Sequence, residues 1–342
     1  SYLPSFLLGI TQVGWFGVGV AMFSIPIQKW LIENNVEGAA SNSTLWTITI
    51  IAGLLMTSTA YFGIKSLTIL SYVAVPAIVV LGLYSAFRAL GTDFPVAGAE
   101  GAVQSGWDTM LSYSPAPSAA IGATAAIAIS VGSFISGGSC TPDFVRFSKN
   151  AKIAVITTVI AFFLGNSLMF FFGAVGTMTY QVNDISEVLF KQGLLLFAII
   201  ALGLNIWTTN DNAIYTSGLG FSNITGIPKR ITVLFNGIVG TLAAVWLYNH
   251  FTTYLNILNT FIPPVGAIII ADFFVRRLGK YKDPSEAKFV DIHWPAVVAW
   301  AAGTGIAFIP VGVSAINGMA VSAVVYIGLC MAVKFFELHP EE

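Results

Sequence analysis

Long, unbroken apolar runs constrain this chain more than any other feature of its sequence. Ten can be counted, at residues 3–23, 44–63, 67–90, 118–138, 151–174, 193–216, 230–249, 252–274, 293–311 and 313–336. An α-helix rises about 1.5 Å per residue, so a run of about 20 residues crosses roughly 30 Å of hydrocarbon. Lipid offers the backbone no hydrogen bonds, so a spanning segment is either a helix or part of a closed barrel. Barrel strands alternate apolar and polar residues over about ten positions. These runs do not alternate. The expected fold class is therefore an all-α polytopic membrane protein. Charge agrees: 9% of residues are charged, against roughly 25% in a soluble domain. Fifteen basic residues face sixteen acidic ones, a balance with no nucleic-acid footprint.

Sidedness follows from the loops, because cytoplasmic loops collect Lys and Arg. Taking alternate loops, one side holds Lys65, Arg146, Lys149, Lys152, Lys229, Arg230, Arg276, Arg277, Lys280, Lys282, Lys288 and Lys334. The other holds Lys29, Arg88 and Lys191. Its longest loop, 91–117, carries Asp93, Glu100 and Asp108 and no base. This pattern places both termini in the cytoplasm. Ser1 opens almost directly on a full-length span without a basic lead, so no cleavable signal is expected. Cys140 and Cys330 lie far apart and lack metal-ligand spacing, and a disulfide is not expected. His250, His293 and His339 sit near span ends, where solvated surface histidines are expected.

Three stretches break the helical pattern. Gly132–Ser139 holds three glycines and three serines and is followed by Pro142. Asn205–Asn212 is polar throughout apart from Ile206 and Trp207. Pro263-Pro264 interrupts the span 252–274. Glycine costs about 1 kcal/mol relative to Ala inside a helix, and interrupted spans often mark a transporter's binding site. The span 118–138 is therefore expected to be discontinuous.

Polar residues inside the spans are the candidates for chemistry. Gln12 and Trp15, three apart, share a helical face. An amide beside an indole can hydrogen-bond a planar heterocycle that stacks on the ring. Gly9, Gly14, Gly17 and Gly19 of the same span would also suit close helix packing. Asn205, Thr208 and Thr209 stand at i, i+3 and i+4. Their neutral oxygens suit Na⁺, and equally suit interhelical hydrogen bonds. Asn210 lies about 140° round the helix from Asn205, facing another neighbour. Asp211 and Asp272 are the carboxylates nearest to apolar sequence, both near expected span ends. The sequence has no nucleophile elbow, HExxH or phosphate loop, so no enzyme constellation is present. Nor does it show the repeated polar rings or carbonyl filter of a channel.

The stretches Gly9–Met22, Val131–Arg146, Gly165–Gly173 and Leu202–Phe221 resemble the cytosine permeases of the nucleobase–cation symporter-1 family. The resemblance runs through almost the whole chain; the loops near 31–43 and 91–117 diverge. It implies a secondary active transporter that imports cytosine with Na⁺ by alternating access in the bacterial inner membrane. Runner-up cargoes are another planar nucleobase, hydantoin or allantoin; the other classes are a passive channel or a non-transporting homologue. It also implies the inverted-repeat fold of sodium-coupled transporters, with twelve helices expected. The first span here matches the family's third, so about ten of the twelve are expected in this chain. The chain then reads as one transporter domain. Residues 1–90 are the remainder of the first repeat, 118–274 the second, and 293–336 two further helices. Carried over by motif, the nucleobase contacts fall on Gln12, Trp15, Ser133, Phe134, Ser136 and Asn210. The sodium ligands fall on Asn205, Thr208 and Thr209. No cofactor beyond the coupling ion is implied; the partners are a nucleobase, Na⁺ and the bilayer.

Overall fold

The computed structural model describes residues 2–62, 64–96, 99, 101–115, 117, 120–182, 184–281, 290, 292–309 and 311–335. Ser1, Glu100, Lys282, Lys288 and His339 lie outside the described residues, as do the side chains of Lys65 and Lys334. All ten apolar runs are helical. They form α1 (Tyr2–Glu33), α2 (Asn42–Phe62) and α3 (Ile64–Leu90), then α5 (Ala123–Val145) after a short α4 (Gly106–Leu111). Next come α6 (Ala151–Val159), running through a π-helical turn at Ile160–Gly165 into α7 (Asn166–Tyr180), and the short α8 (Ile185–Lys191). The rest are α9 (Leu195–Thr225), α10 (Lys229–Asn249), α11 (Phe251–Phe261), α12 (Pro263–Ala271), α13 (Trp294–Ala307) and α14 (Ser314–Phe335). Among the described residues, eight helical tracts are long and apolar enough to cross a membrane. Two of the ten runs fall outside that set: α9, which is 31 residues long but more polar, and α13, which has only 14 residues.

Two expected breaks are absent. The helix α5 continues through Gly132–Gly138 and past Pro142. Proline removes one N–H and crowds the carbonyl four residues back. Here it stands in the last turn, so little helix follows. Ser133 and Ser139 donate to the carbonyls of Ile129 and Ile135 and stay inside the helical frame. Gly132 serves packing instead: a Cβ there would lie 2.3 Å from the Leu255 carbonyl oxygen. Likewise α9 continues through Asn205–Asn212 to Thr225. Asp211 is therefore a mid-helix residue and not one at a span end. The third break is real, since the helix bends at Ile262, between α11 and the Pro263 that opens α12.

The loop 91–117 has its own structure, a β-hairpin of Asp93–Pro95 with Val103–Ser105 leading into α4. Ser105 caps α4, accepting from the Asp108 N–H and donating to its carboxylate. His250 and His293 stand at helix ends as expected, the latter capping α13 through Nδ1. Cys140 and Cys330 are free.

The chain divides into two compact units that do not follow sequence order. The smaller comprises residues 1–11, 121–140 and 250–342; the larger, 12–120 and 141–249. In the smaller unit, Gly303 and Gly318 bring α13 and α14 into backbone contact, and Ile268, Ala271, Ala299 and Tyr326 form the core. In the larger, α1, α2, α9 and α10 share a core of Phe16, Val20, Met56, Ala213, Ile214 and Val233. Gly17 and Gly240 let α1 and α10 touch, since a Cβ on Gly17 would lie 2.7 Å from the Gly240 oxygen.

Candidate functional site

In the larger unit, α1 and α9 present most of the candidate residues. Gln12 is buried, and Trp15 is half-buried against the core, as are Ile206 and Trp207 of α9. Asn210 is 1% exposed. Its amide nitrogen donates to the Phe16 carbonyl (3.2 Å) and contacts Met56 Sδ (3.1 Å). Its Oδ1 occupies the space a Cβ on Gly19 would need, 2.0 Å away. Gly19 is thus what lets Asn210 lie across α1. The structure brings Gln12, Trp15 and Asn210 onto one pair of packed helices.

Asn205 points elsewhere, as its helical phase requires. It lines a cavity of about 140 Å³ with Met22, Phe23, Asp184, Gly203 and Tyr248. Asp184 is held there from two sides. It accepts from the Tyr248 hydroxyl (2.9 Å) and caps α8 through the Ser186 N–H (2.7 Å). Lys29 of α1 and Glu187 of α8 form an ion pair at 2.9 Å. Thr208 and Thr209 both donate to the Asn205 carbonyl, at 2.8 and 3.0 Å. Their protons are committed inside the helix, which leaves oxygen lone pairs for a cation. Thr208 is buried and Thr209 exposed, so the two hydroxyls stand in different surroundings.

Asp211 is fully buried. Its Oδ1 accepts from Thr59 of α2 at 2.6 Å, and Thr59 Oγ1 accepts in turn from the Trp207 indole at 2.9 Å. This chain of three polar groups ties α9 to α2 one residue from Asn210. Sequence reasoning marked Asp211 but not its partner Thr59, which lies 152 positions away. Asp184 and Tyr248 were also missed. Asp184-Ile-Ser-Glu187 is a helix-start signature that could have flagged the first.

Ser133, Phe134 and Ser136 belong to the smaller unit. Ser136 is buried, and Ser133 and Phe134 are half-buried on α5. Tyr254 of α11 donates to the Thr11 carbonyl at 2.6 Å. Asp272 was expected at a solvated span end. It does end α12, but Tyr326 (2.7 Å), Tyr281 (3.0 Å) and Arg276 (3.2 Å) all donate to it. It is therefore a structural clamp between α12 and α14.

The bundle of long apolar helices with polar groups buried between them is that of a multi-pass membrane protein. Residues 1–332 match the family described as permeases for cytosine/purines, uracil, thiamine and allantoin, and the chain belongs to that family. Cytosine permease of Escherichia coli K12 is 46% identical over 327 residues, covering 96% of this chain and 72% of that protein. Hydantoin permease of Microbacterium maritypicum is 23% identical over 368 residues, covering all of this chain and 73% of that protein. The fold matches the nucleobase–cation-symport-1 transporter Mhp1. In its inward-facing form the TM-score is 0.72 at 19% identity, covering 98% of this chain and 75% of that one. In a closed form with bromovinylhydantoin bound, the TM-score is 0.70. The protein is thus a multi-pass membrane transporter and not an enzyme.

Proposed function

We propose that this protein imports cytosine together with Na⁺ by alternating access in a bacterial inner membrane, with both termini cytoplasmic. The observation that carries the substrate is the 46% identity to a cytosine permease across nearly the whole chain. The residue types support it. Trp15 and Phe134 supply flat faces, Gln12 and Asn210 amides, and Ser133 and Ser136 hydroxyls. Cytosine is neutral and flat, with donors and acceptors on its rim, and needs no charged partner. In the conformation described here the Asn210 amide nitrogen is engaged by α1, so substrate contact at Asn210 goes through Oδ1 or follows a rearrangement.

For the coupling ion, the support is the lone-pair geometry of Thr208 and Thr209 over Asn205. The Asp184 carboxylate in the Asn205 cavity favours the approach of a cation. The boundaries of the repeats, at 1–90 and 118–274, belong to the same proposal. Labelled-cytosine uptake into proteoliposomes tests it. Uptake should rise with an inward Na⁺ gradient and not with K⁺. Unlabelled uracil, which replaces the exocyclic amine with a carbonyl, should compete at least about tenfold less well, the cost of one mismatched polar group. Equal competition by uracil or hydantoin would move the substrate assignment, and equal uptake in K⁺ the coupling assignment.

A further inference from the structure

Arg146, Lys229 and Arg230 gather in the larger unit without a carboxylate at ion-pair distance among the described residues. Aromatic rings hold them instead. Lys229 Nζ stands 4.0 Å from the centre of the Tyr215 ring, and Arg146 donates to the hydroxyl of the same tyrosine at 3.3 Å. The Arg230 guanidinium lies 5.4 Å from the centre of Tyr61. Ring contacts fix cations in place but do not neutralise them. Lys229 lies within the field of both arginines. Asp143, one turn before Arg146, interacts with that arginine, while Lys229 stands beside two arginines. Lys229 and Arg230 also open the 21-residue α10, so the positive end of its dipole adds to theirs.

Below this cluster α10 carries an unpartnered apolar stripe. Ile231, Leu234, Phe235, Ile238 and Leu242 are each 43% to 66% exposed. Their spacing of three, four, seven and eleven puts them on one face, with Arg230 one turn before Leu234. The stripe is about 16 Å long at 1.5 Å per residue, close to half of a roughly 30 Å hydrocarbon core. Its length is that of one leaflet, with positive charge at the leaflet's polar edge. We propose that Arg146, Lys229 and Arg230 hold the phosphate of an anionic phospholipid whose acyl chain lies along this stripe. A free phosphate would satisfy the cations but leave the stripe unused.

Native mass spectrometry of the detergent-purified protein, titrated with phosphatidylglycerol or phosphatidylcholine, tests this directly. Wild type should retain phosphatidylglycerol preferentially. Arg230→Gln, a change at an exposed side chain, should lower that retention about fivefold, as expected for one cation at a membrane surface. The triple variant R146Q/K229Q/R230Q should abolish the preference. K149Q/K152Q, on the same side of the membrane by the loop pattern, should leave it unchanged. Inorganic phosphate at equal concentration should not displace the lipid, and Phe235→Ser should weaken retention. Unchanged retention in Arg230→Gln would overturn the proposal whether or not the triple variant folds. So would an equal loss in K149Q/K152Q, which would mean general surface charge. Full displacement by inorganic phosphate would replace the lipid with a simple anion.

Discussion

Two tracts of the larger unit, α9 and α6–α7, use the same helical geometry in opposite ways. Thirteen of the 31 residues of α9 are buried, among them Thr208, Asn210 and Asp211. In the tract Ala151–Tyr180, no residue of the most apolar stretch is buried. Phe163 there is 74% exposed. In water the apolar helix would be the inner one. In a bilayer, lipid is as apolar as leucine, so burial selects for polar contacts and small residues. The helix least able to face lipid alone is the one packed among α2, α3 and α10, with α1 against it at Asn210. Polarity within a spanning helix therefore marks the interior, and with it the candidate site.

Gly19→Val should break this arrangement most severely. A Cβ there meets Asn210 Oδ1, so α1 and α9 must part or Asn210 must swing away. Cytosine uptake should fall about a hundredfold, with a lower melting temperature, since overpacking costs about 1–3 kcal/mol. Next, Asp211→Leu removes the carboxylate that accepts from Thr59 and leaves that hydroxyl only the Met56 carbonyl of its own helix. A loss of about 1–3 kcal/mol is expected in thermal or denaturant unfolding, and Asp211→Asn, which keeps an acceptor, should lose less. Thr209→Ala should leave the fold intact and raise the Na⁺ concentration for half-maximal uptake by about tenfold, the loss of about 1.4 kcal/mol of ligation. Trp15→Ala should weaken all planar ligands together, whereas Gln12→Ala should narrow the gap between cytosine and uracil in competition uptake. At the other extreme, Phe163→Leu on the lipid-facing tract should change stability by less than about 0.5 kcal/mol. An effect of Phe163→Leu as large as that of Asp211→Leu would contradict the inside–outside contrast.

Sequence length and loop charge reveal the ten helices because spanning a bilayer imposes a minimum run that little else imitates. The kink at Ile262 was equally readable, since two consecutive prolines cannot continue a helix unperturbed. Gly132–Ser139 was misread because glycine has two uses. It can loosen a helix or admit a neighbour, and only the Leu255 carbonyl against Gly132 shows which. Asn205–Asn212 was misread because its polar groups find partners within and across helices: the Asn205 carbonyl, the Phe16 carbonyl and Thr59. The last two pairings span about 150 to 200 positions, and periodicity carries no information at that range. The two hairpin strands were hidden in a loop with no apolar alternation, although Ser105-Gly-Trp-Asp108 announces the helix that follows them.

The central claim is that neutral polar groups on α1 and α9 couple a sodium ion to a planar, uncharged base. The most direct measurement is cytosine accumulation in proteoliposomes under an imposed Na⁺ gradient, with Thr209→Ala alongside. The account predicts uphill, saturable accumulation that collapses when the gradient is dissipated, and a Na⁺ dependence shifted to higher concentration in the variant. Downhill, non-saturating flux indifferent to Na⁺ would make the protein a passive pathway and contradict the account.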